Sequence, residues 1–154
     1  MQLSDKLWEM GSLDDIKEKV SPELFQVHIG MNVIGIWKYE GWDSILGEHA
    51  DFVPYIPQVL QELEMFDIKQ AFEDVIALFP EDTVFASDNE AYYDIYNFLT
   101  TFSGKTQNEK LQGITPEKRR EMVKRMHQNV NQLDEVTEQY WSDEMESIIQ
   151  NMLR

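Results

Sequence analysis

Residues 21–41, SPELFQVHIGMNVIGIWKYEG, decide the fold class. Ser21 is a capping residue. Pro22 suits the first helical position, where a backbone N–H would go unused, and Glu23 meets the positive end of the helix dipole. Gly41 supplies the stop, so the helix is expected to run to about Glu40. Between these signals Leu24, Phe25, Val27, Ile29, Met31, Val33, Ile34, Ile36 and Trp37 put apolar groups on nearly every side. A helix with no polar face has to be enclosed by others, which makes this segment the expected central helix of an all-α domain. Its uncharged stretch from Leu24 to Trp37 is too short to span a bilayer.

Outward from that helix the signals remain helical. Upstream, Ser12 opens a short helix with Asp14 and Asp15 in its first turn. Downstream comes an expected linker holding Trp42, Phe52, Pro54 and Pro57, with helix resuming once Pro57 can serve as a first-turn residue. Val59, Leu60, Leu63 and Phe66 form one apolar stripe. Asp67 with Gln70 reads as a capping box for the next, whose stripe is Ile68, Ala71, Phe72, Val75, Ile76 and Phe79, ended by Pro80. Ser87 with Glu90 reads as another box, opening a helix that faces Ala91, Ile95, Tyr96, Leu99 and Phe102 inward until Gly104.

Residues 103–114 form a polar linker. Thr115-Pro116 then starts the longest helix, with Met122, Val123, Met126, Val130, Leu133, Val136 and Tyr140 at spacings of three and four. Ser142 can cap a last helix carrying Met145, Ile148, Ile149 and Met152. No period-two run reads as a strand. The expectation is one domain over 1–154, a bundle of about six to eight helices, with 1–20 as N-terminal short helices and 21–154 as the core.

Composition narrows the function classes. With 154 residues, 42% of them hydrophobic, the chain can bury a substantial core. The absence of cysteine excludes disulfides, thiolate metal sites and cysteine nucleophiles. The opening MQLSDKLWEMGSLDD lacks a signal-peptide core, so a cytoplasmic location is the expectation. Net charge is −16, and residues 1–104 hold 5 Lys/Arg against 20 Asp/Glu. Such a surface repels nucleic acid and anionic membranes and attracts basic partners.

No pattern for a P-loop, dinucleotide site, HExxH zinc site or EF-hand is present, and no cofactor is implied. His28 reads as a hydrogen-bonded core histidine. Glu48-His49-Ala50-Asp51 offers metal-capable side chains in one stretch. Trp37, Tyr39, Trp42, Phe52 and Tyr55 read mostly as core or a small cluster under the linker, with a partner groove lined by Trp42 or Tyr55 as the alternative. The cations Lys118, Arg119, Arg120, Lys124 and Arg125 oppose the dipole of their own helix. Pairing with the acidic body is their expected use, and an anion or partner contact is the sharper alternative.

Three segments carry a family resemblance. Tyr39-Glu40-Gly41-Trp42 stands where the family ends a helix in Asn-Gly-Gly-Phe, with Gly41 matching outright. Val59 through Pro80 looks like its helix pair, closed by Leu78-Phe79-Pro80. Leu133-Asp134-Glu135-Val136, Tyr140-Trp141 and the terminal helix are similar to its closing segment. Together they resemble a family of small, largely uncharacterised bacterial domains that includes the C-terminal domain of an acidic DNA-mimic protein. The resemblance covers about residues 20–154. It implies an all-helical fold and, for the characterised branch, mimicry of DNA charge; it brings no catalytic residues.

The reading that follows is a non-enzymatic acidic protein binding a basic partner, either a nucleic-acid-binding protein or a toxin neutralised in the manner of an immunity protein. Its candidate contacts are Asp14, Asp15 and Glu18; Glu40, Trp42, Asp43, Glu48 and Asp51; and Glu62, Glu64, Glu73 and Asp74. Two alternatives stay open. One is a small-molecule or metal site around Trp42, Glu48, His49, Asp51 and Tyr55. The other is a structural subunit packing through Met122, Met126, Met145 and Met152, and the chain is expected as a monomer or homodimer.

Overall fold

The computed structural model describes residues 9–101 and 106–139. Among the described residues the elements are α1 (Leu13–Lys19), α2 (Pro22–Tyr39), α3 (Trp42–Glu48), a 3-10 helix (Ala50–Tyr55), α4 (Ile56–Glu62), α5 (Phe66–Ile76), α6 (Glu90–Thr100), α7 (Glu109–Gln112) and α8 (Pro116–Glu138), with no strand. The fold is an all-α single-domain bundle. None of its described helices is long and apolar enough to cross a membrane.

The local rules act where the sequence places them. Ser12 and Asp15 form a reciprocal capping box on α1. The Ser21 hydroxyl accepts from Leu24 N, and Thr115 does the same for Lys118 N at the start of α8. From position 24 to 38 no residue of α2 is exposed, as a helix without a polar face requires. At its end Gly41 takes φ +91° and ψ 169°, a conformation open to glycine and hostile to side chains.

Four expectations need correction. The stretch after Gly41 is no linker: α3 and the 3-10 helix fill it, burying Trp42, Ile45, Leu46, Ala50, Phe52 and Val53. Apolar burial outweighs the prolines here. Pro54 sits inside the 3-10 helix, while Pro57 takes the expected first-turn place in α4. Asp67 does not cap α5. Met65 holds that position because the α4–α5 corner, with Glu64 at φ +57° and Met65 N donating to Leu60 O (2.9 Å), tucks its side chain into the core. Gln70 bonds forward to Asp74 instead.

Asn89, rather than Ser87, caps α6 by accepting from Tyr92 N (2.9 Å). That register buries Tyr92 and Phe98 beside Ile95 and Leu99 and leaves Ala91 exposed. The polar linker contains α7. Phe102, residues 103–105 and everything expected from Tyr140 onward, the capped terminal helix with Met145 and Met152 included, lie outside the described residues.

Two axes organise the core. α2 packs against α1, α3, the 3-10 helix and α4, while α8 packs against α5, α6 and α3. The link between the axes is Trp42, which is 1% exposed. Its ring centroid lies 4.9 Å from Trp37 of α2 and 5.4 Å from Phe72 of α5. Its indole N–H donates to Thr137 Oγ1 of α8 (2.8 Å), and that hydroxyl donates to Leu133 O (2.7 Å). Replacing Thr137 by Val keeps the shape and strands the indole donor. Thr137→Val is expected to cost about 1–3 kcal/mol in urea denaturation; an unchanged midpoint would show that the bond contributes nothing net.

His28 is fully buried in α2, with Asn32 Nδ2 3.3 Å from its Nδ1 and bonded to its carbonyl (2.8 Å). Burial disfavours the imidazolium and lowers its pKa. The unfolded chain therefore takes up this proton first as pH falls. The stability present above the ordinary imidazole pKa is lost as pH drops through the lower folded value. The urea midpoint should fall between pH 7.5 and 5, and His28→Gln should flatten that slope; an identical slope in the variant would assign the effect to other groups.

Candidate functional site

At the corner between α2 and α3, Gly41 turns the chain so that α3 starts against the last turns of α8. A groove of about 320 Å³ opens there, walled by Trp37, Tyr39, Glu40, Asp43, Asp134 and Glu138 among others. Asp134 is half-buried and accepts a hydrogen bond from the Trp42 backbone N–H. Burial foremost, then Asp43 and more weakly Glu138, raise its pKa from the ordinary Asp value, with the Trp42 hydrogen bond acting in the opposite direction. Among the described residues the ion pairs are Lys69–Glu73 (3.4 Å) and Lys110–Asp82 (3.1 Å); Lys38 also lines the groove, and none of Asp43, Asp134 and Glu138 is ion-paired to a described residue. Beside them Tyr39 stands 81% exposed with the Lys38 ammonium 5.6 Å from its ring centre.

The acids continue away from this groove. Glu40 lies within 4.8 Å of both Glu48 and His49, measured between ligand-capable atoms, and its Oε1 accepts from Ser44 Oγ (3.1 Å). His49 also lines a larger groove of about 710 Å³, shared with Asp14, Asn32, Asp51, Tyr55 and Ser87. In that groove Tyr55 O–H donates to Asp14 (3.0 Å), and Ser87 N–H donates to Asp51 (2.9 Å). Burial first, then Asp14 and Asp51, raise the Tyr55 pKa. Shared residues thus link Asp14, Asp51, Glu48, Glu40, Asp43, Asp134 and Glu138 into one run of near neighbours.

The other sequence candidates stand apart from this run. Hydrogen bonds from Ser12 hold Asp15 in its capping box and lower its pKa. Glu18 is exposed on α1. On the α4–α5 pair Glu62 accepts from Gln58, Glu73 pairs with Lys69, Asp74 accepts from Gln70, and Glu64 occupies the corner. Trp42 needs correction: its burial removes the indole from any partner surface. The alternative set separates too, with His49, Asp51 and Tyr55 lining the larger groove while Glu48 gathers with Glu40 and His49. Met122 is half-buried and Met126 buried in the bundle itself.

Pairing of Lys118, Arg120, Lys124 and Arg125 with the acidic body is likewise corrected. Arg119 lays its guanidinium 4.1 Å over Phe98 and donates to Thr101 O (3.0 Å). Lys118, Arg120, Lys124 and Arg125 are exposed and form no ion pair among the described residues. Lys118, Lys124 and Arg125 rim a groove over Leu78 and Met122, just past the end of α5.

Sequence reading missed Asp134 and Glu138 as site residues. They are like charges at i and i+4, an arrangement a helix disfavours, and that spacing was the available signal. Comparison of the chain with family models, with curated proteins and with solved structures finds no match.

Because the pKa of Asp134 is raised, its contribution to stability is fully present below the ordinary carboxylate pKa. It is lost as pH rises through the higher folded value. An Asn there keeps an acceptor for the Trp42 N–H without the charge. Asp134→Asn is therefore expected to raise the urea midpoint at pH 7 and to change little near pH 3. A loss at pH 7 would mean that the ionised carboxylate stabilises the fold after all.

Proposed function

We propose that this chain is a binding protein that receives Lys or Arg side chains of a basic protein partner at the α2–α3 corner. The observation that carries the reading is the half-buried Asp134, facing Asp43 and Glu138 with no cation of the described residues paired to any of the three. Carboxylates crowded in a concave, partly desolvated site repel one another, and an incoming guanidinium or ammonium relieves that repulsion. Tyr39 adds an exposed aromatic face beside the acids, suited to stacking on such a cation. The linked run toward Asp51 and Asp14 supplies a row of anions along which further basic residues of the partner lie.

The same chemistry supports the narrower reading of DNA-charge mimicry. Lys and Arg that hold phosphates on a nucleic-acid-binding protein would hold these carboxylates instead, with affinity falling steeply as salt rises. A basic toxin bound by an immunity-type inhibitor would meet the same groove and differ in its response to DNA.

Affinity capture from source-cell lysate with salt elution tests the reading. Wild type is run beside Asp43→Lys/Glu138→Lys and beside Glu62→Lys/Glu73→Lys, which makes the same charge change on the α4–α5 pair. The expected partner is held by wild type and by the α4–α5 variant, and binds the corner variant at least about tenfold more weakly, or 1.4 kcal/mol. Displacement by double-stranded DNA supports mimicry, and indifference to DNA supports a toxin. Full retention by the corner variant overturns the site, and equal loss from both variants reduces it to diffuse charge.

A further inference from the structure

We infer that Glu40, Glu48 and His49 form a binding site for a single divalent transition-metal ion of the Zn²⁺ or Co²⁺ kind. The candidate ligand atoms, one carboxylate oxygen from each Glu and one imidazole nitrogen, all lie within 4.8 Å of one another. Ligands tetrahedrally placed at about 2.0–2.1 Å from zinc are about 3.4 Å apart, so each pair has to close by about 1.4 Å at most. Glu40 and Glu48 are exposed at the ends of flexible stems, and rotation about their side-chain bonds covers that distance.

The groups behind these ligands are held in place. Glu40 sits one turn before Ser44, whose hydroxyl donates to its Oε1 (3.1 Å); Glu48 follows one turn after. Ser87, remote in sequence, donates its hydroxyl to the Glu48 carbonyl (3.2 Å) and its N–H to Asp51 (2.9 Å). The Glu48 carbonyl before His49 and the Asp51 carboxylate after it are thereby tied to the segment preceding α6. Of these bonds the one from Ser44 reaches a ligand carboxylate itself, and bonds of that kind commonly change metal affinity about 10–100-fold.

Ligand chemistry chooses the ion. Two carboxylates balance a divalent charge, and the imidazole favours zinc, cobalt or nickel over calcium and magnesium, which prefer all-oxygen shells. Three protein ligands leave a position open to water or a small anion. The inference concerns the isolated chain and a metal ion alone: Glu40 and Glu48 also belong to the acidic run of the partner reading, but the metal site does not require a partner.

Calorimetric titration of the metal-free full chain with ZnCl₂ tests it, using His49→Gln, Glu48→Gln and, as a control of equal charge change, Asp43→Asn. Metal-free melting curves establish that each variant is folded. Wild type is expected to bind one ion saturably and to melt higher with zinc present. His49→Gln and Glu48→Gln should each weaken binding at least about tenfold, and Asp43→Asn should stay within about threefold. If His49→Gln fails to fold, Glu40→Gln/Glu48→Gln carries the test with the same expected loss. The site is overturned by the absence of saturable binding. It is equally overturned if Asp43→Asn weakens binding as much as Glu48→Gln, or if His49→Gln binds as wild type, since either result means diffuse attraction to acids.

Discussion

The fold depends on where Trp42 puts its indole. The ring packs, tilted, against Trp37 and Phe72, and its N–H reaches Thr137, so one side chain touches α2, α5 and α8 from α3. Its backbone N–H adds a second tie to α8 through Asp134. Gly41 makes this geometry reachable: only a residue free to adopt φ +91° lets the chain leave α2 and bring Trp42 back under it. A buried indole with an unmet donor would cost more than most single packing contacts, which gives the Thr137 hydroxyl an effect beyond its size.

The charge distribution follows from this packing. Acids and bases do not cancel across the surface: the described chain forms two ion pairs, and exposed pairs of that kind contribute about 0–1 kcal/mol. Acids gather where α2, α3, the 3-10 helix and the end of α8 converge. Lys118, Lys124 and Arg125 of α8 gather near its other end, beside the close of α5. Both arrangements run against local preference. Asp134 and Glu138 repel across one turn, and Lys118 opposes the dipole of its own helix. A solubility role for the charge would have needed neither arrangement.

Much of the fold was legible because its governing interactions are local. The caps at Ser12, Ser21 and Thr115 and the stop at Gly41 need only neighbours in sequence, and the enclosure of α2 follows from its missing polar face. Reading failed where tertiary burial chose among local options. Met65 displaced Asp67 as a cap because its side chain had a core to enter, and Asn89 displaced Ser87 because Tyr92 did. The stretch 42–57 read as linker because of Pro54 and Pro57, although the packing of Trp42, Phe52 and Val53 outweighed them. Of the site, the acids on the α2–α3 corner were legible. Asp134 and Glu138 were not, since their partners lie more than ninety positions away in sequence and only the α3–α8 contact brings them together.

The corner therefore joins two roles in the same residues. Asp134 holds the start of α3 through the Trp42 N–H while standing half-desolvated among other carboxylates, so its ionised form costs free energy that no ion pair among the described residues offsets. Any cation that enters this groove recovers part of that cost, and anything bound to the folded state alone stabilises it. On the proposed reading the partner's Lys or Arg would supply that charge, and binding would tighten the α3–α8 joint from the outside just as Trp42 does from within. Removing the charge would make the isolated chain more stable and a poorer binder. That opposition is what separates an acid retained for recognition from one retained for structure, because a structural acid loses stability when it is neutralised.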